Sequence, residues 1–78
     1  MNKARRQALT STYELISQIR TIVELVHDDE EEAYENMPES LKYSDRGEQM
    51  SSNVYELDNL LYEIDAIEES IDNIVSGW

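Results

Sequence analysis

A chain of 78 residues makes one domain at most, and it is too short to bury much apolar surface without a staple or a partner. It contains no cysteine, which excludes a disulfide framework and a thiolate metal site and suits a reducing cytoplasm. Eighteen acidic against six basic residues leave a net charge of −12, which favours cationic partners and excludes direct binding to bare nucleic acid or to an anionic membrane.

Hydrophobic residues make up 40% of the chain with only two glycines and one proline, so order is expected despite the charge. No apolar run is long enough for a signal peptide or a membrane span. In the first half, Leu9, Thr12, Ile16, Ile19, Val23, Val26, Ala33 and Met37 recur at spacings of three and four, interrupted only by Glu30, which predicts a helix over about residues 3–36. Leu15, Ile22 and Leu25 lie beside that seam and widen it, as a helix facing more than one neighbour requires. Pro38 ends this helix near Asn36 or Met37 and leaves residues 37–44 as a turn. Ser44 and Asp45 supply an N-cap and an acidic first turn for a second helix over about 45–76, with Gly47 as its local weak point. Leu57, Leu60, Ile64, Ile67, Ile71, Ile74 and Trp78 form its seam, and Val54, Leu61 and Val75 widen it. Each helix should be roughly 45–50 Å long, and so short a connection makes antiparallel neighbours of them. The expected fold is therefore all-α, a coiled-coil-like two-helix antiparallel hairpin in a single domain, with Arg5 and Arg6 near Glu68, Glu69 and Asp72.

A lone hairpin leaves one side of each stripe exposed. A second copy closing a four-helix bundle is the expected remedy, a homodimer held by Ile16, Ile19, Val23, Val26, Leu57, Leu60, Ile64, Ile67, Ile71 and Ile74. A different protein taking up the same stripe is the rival remedy.

The segment Asn36-Met37-Pro38-Glu39-Ser40-Leu41, then Ser44-Asp45-Arg46-Gly47, together with the acidic, isoleucine-rich second helix, resembles small acidic proteins of phages and integrated mobile elements of Gram-positive bacteria. The resemblance covers about residues 28–75. It implies a helical hairpin and a genetic setting in which small proteins often inhibit host enzymes or defence systems; it implies no catalytic residues.

Little in the sequence points to catalysis. Glu24 and His27 have the Glu-x-x-His spacing of di-iron bundles, but the seam residues Val23 and Val26 should turn both away from the centre, and only Glu56 and Glu63 could complete such a site. His27 is the one histidine, without a nucleophile placed beside it. No catalytic, metal or cofactor-binding residue is expected. The run Asp28-Asp29-Glu30-Glu31-Glu32 with Glu35 sits where the helix dipole disfavours negative charge. It reads either as a solvated face eased by Lys42 and Arg46 or as a docking surface for a basic partner. A calcium loop would need alternating oxygen ligands and a bend glycine, which this run lacks. Beyond Arg46 there is no basic residue, and the acids that follow, Glu63 and Asp65 among them, give the second helix a one-signed face that could occupy a groove built for nucleic acid. Tyr34 and Tyr43, flanking the acidic run, have the flat surface and polar handle of interface anchors.

These features predict a non-enzymatic inhibitor or modulator of phage or mobile-element type. Asp28, Asp29, Glu31, Glu32, Tyr34, Glu35, Tyr43, Glu63 and Asp65 would engage a basic surface of a bacterial host or defence protein, as a DNA mimic or otherwise. The alternative is a self-assembling structural or regulatory bundle whose charge serves only solubility.

Overall fold

The computed structural model describes residues 1–77 and is a rod. Its extents are 59 × 16 × 13 Å and its radius of gyration is 17.7 Å, against about 11–12 Å for a compact domain of this length. Helices α1 (Lys3–Thr10) and α2 (Thr12–Glu35) run one way, a single turn α3 (Glu39–Lys42) reverses the chain, and α4 (Asp45–Ser76) runs back antiparallel along them. None of these helices is long and apolar enough to cross a membrane. Trp78, expected at the end of the second seam, lies outside the described residues.

Each boundary has a local cause. Asn2 caps α1, its side-chain oxygen accepting from the Arg5 N–H at 2.8 Å. The first long helix expected over about 3–36 is found over 3–35 with a one-residue break at Ser11, whose backbone stays in the right-handed helical region and whose N–H still donates to the Gln7 carbonyl at 3.0 Å. Three successive hydroxyls turn back onto the helix there, Thr10 donating to the Arg6 carbonyl at 2.9 Å, Ser11 to Ala8 at 2.6 Å and Thr12 to Leu9 at 2.6 Å. Such back-bonding competes with the backbone ladder and bends a helix. Pro38, with ψ at 146°, breaks α2 from α3, and Ser44 restarts the chain by accepting from the Gly47 N–H at 3.3 Å.

Gly47 is not the weak point expected of a glycine in a first turn. It is buried, and a Cβ there would stand 2.3 Å from the Lys42 carbonyl oxygen and 2.4 Å from that of Leu41. The end of α3 packs directly on the backbone of α4, an approach that only glycine permits.

The core is thin. Ile16 at 7% exposure and Ile64 at 6% are its buried hydrophobic residues. Around them the half-buried apolar positions are Leu9, Val23 and Met37 on one arm of the hairpin and Met50, Val54, Leu57, Leu61, Ile71 and Val75 on the other, and half-buried polar residues, Tyr13, Arg20, His27, Glu30, Tyr34 and Glu68 among them, complete the seam. Ile19, Val26, Leu60, Ile67 and Ile74, expected in the seam, are exposed, Ile19 at 50% and Ile67 at 54%. Both helices are thus rolled in the same sense from the most hydrophobic register, which brings polar residues to one flank of the seam and moves isoleucines to the other.

Candidate interaction surface

The two flanks of the seam differ in kind. On one, cross-helix polar contacts form a ladder. The Tyr13 hydroxyl donates to Asp72; Arg20 pairs with Asp65 at 2.7 Å and with Glu68 at 3.4 Å; and His27 Nε2 stands 2.7 Å from Asp58 and 3.5 Å from Glu31, while its Nδ1 lies 3.0 Å from Asp28. Tyr13, Arg20 and His27 ascend α2 by sevens as Asp72, Asp65 and Asp58 descend α4 by sevens, the repeat that keeps one face of a helix on its partner.

His27 corrects the expectation that it points away from the centre. Its side chain is only 13% exposed, and Glu24, the other half of the Glu-x-x-His spacing, is exposed and does not join it. The His27 Nε2 is buried yet aligned with no acceptor, so its contact with Asp58 is a charge contact and not a directed hydrogen bond. The hydrogen bond to Asp28 raises the affinity of the imidazole for its proton above the ordinary histidine value; burial opposes this, and the charges of Asp58 and Glu31 add to the rise. Tyr13 is pushed up to about 12, first because its proton is held by Asp72, then by burial and by the negative charge of Asp72 and Glu68. Arg20 is held still more firmly protonated by its hydrogen bond to Asp65, against the opposing effect of burial, with Glu68 adding to the rise. Glu68 and Asp72, expected beside Arg5 and Arg6, are thus met by Arg20 and Tyr13.

The other flank carries no such ladder. Ile19 and Val26 on α2 face Leu60, Ile67 and Ile74 on α4 across an open furrow, and Leu15 and Ile22 extend the apolar area outward. One stretch of the furrow is a groove of about 500 Å³ walled by Val26, Leu57 and Leu60 and rimmed by Glu30, Asn53, Glu56 and Glu63. Another, of about 100 Å³, is lined entirely by Ile16, Ile19, Ile64 and Ile67. Asn53 bridges the rim, donating to Glu30 at 2.8 Å and accepting from Gln49 at 2.9 Å.

At the turn end, Tyr34, Tyr43 and Tyr55 surround a groove with Lys42, whose ammonium lies 5.4 Å from the centre of the Tyr34 ring. Tyr43 is 81% exposed. Lys42, expected to ease the acidic run, therefore faces an aromatic ring and forms no ion pair among the described residues.

The residues expected to contact a partner are divided by this geometry. Asp28 and Glu31 are engaged with His27, and Asp65 with Arg20. Asp29, Glu32 and Glu35 are exposed and form no ion pair among the described residues, Glu63 rims the apolar furrow, and Tyr34 and Tyr43 come together in the turn groove. Of the residues named for self-association, Ile16 and Ile64 are buried, Val23, Leu57 and Ile71 half-buried, and Ile19, Val26, Leu60, Ile67 and Ile74 exposed. The ladder itself, with Tyr13, Arg20, Asp58 and Asp72, was missed, although the sevenfold spacing was available as a signal. Among the described residues no group of three or more His, Asp or Glu side chains is arranged to hold a metal ion. No family model matches the chain, and comparison with curated proteins and with solved structures returns no significant match.

Proposed function

We propose that the chain is a non-enzymatic binding protein whose outward carboxylates dock on a basic surface of another protein. The observation that carries this reading is what remains once the ladder is made. Asp29, Glu32 and Glu35 on α2 and Glu56, Glu63 and Glu69 on α4 are exposed and have no cationic partner among the described residues, and no basic residue follows Arg46. Such a surface attracts a cationic partner over a distance set by the ionic strength. The resemblance of the turn segment to phage and mobile-element proteins makes a bacterial host or defence protein the proposed partner, and a nucleic-acid-handling enzyme is the kind that offers a basic groove. Charge density narrows the mode of contact. A duplex as long as this 59 Å rod carries about 35 phosphate charges, against a net −12 here, which favours a local acidic patch over imitation of a whole duplex.

The test is binding to a panel of bacterial nucleic-acid-handling enzymes at about 50 and 300 mM salt, with wild type and with the charge-reversed variant Glu32→Lys/Glu35→Lys/Glu63→Lys. Affinity should fall with salt and with charge reversal while helical circular dichroism is unchanged. A complex indifferent to both would rule out the acidic contact. The open apolar furrow favours a second reading, a bundle whose function is its own assembly.

A further inference from the structure

We infer that the open apolar flank is covered by a second copy of this chain lying antiparallel to the first, α2 over α2 and α4 over α4, with the two-fold axis crossing near Ile19 and Ile67. The inference does not rest on the acidic contact proposed above: Glu32, Glu35 and Glu69 lie away from this flank, while Glu56 and Glu63 rim the furrow and would border the pair.

The choice of flank follows from the ladder. On its side the space between the helices is spanned by Arg20, His27 and Tyr13 with their carboxylates, so a partner there would have to strip charged groups of water. On the furrow side the exposed surface is aliphatic, and each half-exposed isoleucine or leucine still has about half of its favourable transfer from water to gain.

The position of the axis also follows from the ladder, which fixes levels along the rod. Tyr13 is opposite Asp72, Arg20 opposite Asp65 and His27 opposite Asp58. Ile74 therefore lies level with Ser11 and Thr12, Ile67 with Ile19, and Leu60 with Val26. The aliphatic patch runs between the first and last of these levels, and its midpoint is at Ile19 and Ile67. A two-fold contact uses one patch twice and is centred on it.

Charge decides between the two ways of stacking. Lys3 and Arg5 lie about 21–24 Å from the midpoint in one direction, and the run from Glu30 to Glu35 begins about 17 Å away in the other, at 1.5 Å per residue. In the antiparallel pair the basic end of each copy comes level with the acidic run of the other. In a parallel pair acid would face acid, an arrangement that costs association energy. Only the inward side of the run is used, so Glu32 and Glu35 stay available outside. With the axis at Ile19, about 24 Å from Lys3 at 1.5 Å per residue, the copies overlap over about 48 Å of length, and at a width of 16 Å the footprint is on the order of 770 Å², close to the roughly 800 Å² per partner of a stable interface.

The absence of cysteine makes the test direct. Light scattering of the unmodified chain should give about 18 kDa, twice its 9.1 kDa. Ile19→Cys and Ile67→Cys, each alone and mildly oxidised, should form covalent dimers, whereas Glu24→Cys on the ladder flank should not. Both tested positions are half-exposed, and circular dichroism checks that each variant folds. A 9.1 kDa species at every concentration up to about 100 μM overturns the inference. So does a dimer that cross-links only when Ile19→Cys and Ile67→Cys are mixed, because that pattern belongs to the parallel stack, and so does a dimer that cross-links at neither position.

Discussion

Replacing Gly47 with alanine sets two effects of opposite sign against each other. On helix propensity alone the change should stabilise α4 by about 0.8–1.0 kcal/mol. The position forbids that gain, because the added Cβ would meet the Lys42 and Leu41 carbonyl oxygens at 2.3 and 2.4 Å, roughly 1 Å inside ordinary contact. Both obstacles are backbone, so no rotamer change relieves them, and α3 has to move off α4 as a body. Overpacking of this kind costs about 1–3 kcal/mol; with two backbone carbonyls in the way the upper half of that range applies, about 2–3 kcal/mol, and it leaves a net loss of about 1–2 kcal/mol. For a domain of this size that is a fall in Tm of about 4–16 °C. Thermal unfolding followed by circular dichroism at one fixed chain concentration measures it, with Ser52→Ala on the exposed face of α4 as the control expected to change little. A Gly47→Ala variant as stable as wild type or more so would show that α3 yields freely and that the close approach is not a constraint.

Two further outcomes concern the seam. Ile64→Ala, at the most buried hydrophobic position, should cost about 2–4 kcal/mol by urea unfolding, and a loss below about 1 kcal/mol would mean that Ile16 and Ile64 are not the core. His27 should make stability depend on pH: its folded pKa lies above the unfolded value of 6.5, so its contribution is complete below that value and disappears as pH rises through the folded one. The urea-midpoint difference between wild type and His27→Gln should therefore shrink between about pH 5.5 and 8.5, and a difference constant across that range would contradict the placement of His27 among Asp28, Glu31 and Asp58.

The hairpin was legible because its signals are local. Three- and four-residue spacing, Pro38 and Ser44 each act within a turn or two of chain, and they put the reversal where it is found. The one-residue break at Ser11 was legible in principle from three adjacent hydroxyl residues, but their back-bonding is weak enough for a long apolar stripe to mask it. The seam was misplaced for a physical reason. Reading it along the most hydrophobic line through Ile19, Val26, Leu60 and Ile67 assumes that the helix pair buries as much apolar area as it can. The pair instead rolls until Arg20 and His27 meet carboxylates, which a chain with so few cations for its acids can do at few places. The candidate surface was correspondingly half legible. Exposure of Asp29, Glu32 and Glu35 follows from their solvated pattern, whereas the engagement of Asp65 by Arg20 depends on a pairing across the hairpin.

The ladder that aligns the helices has a built-in ambiguity. Because its rungs recur every seven residues, a hairpin slid by one repeat, roughly 10 Å, would bring Tyr13 to Asp65 and Arg20 to Asp58 and lose only the terminal rung. Side-chain pairing thus behaves like the teeth of a rack, which can engage one notch along with one tooth fewer. The pawl is the single helical turn of Glu39–Lys42 seated on Gly47. A chain loosened there would keep its helicity and most of its rungs while its two ends moved relative to each other, so its length, and not its circular dichroism, would betray the slip.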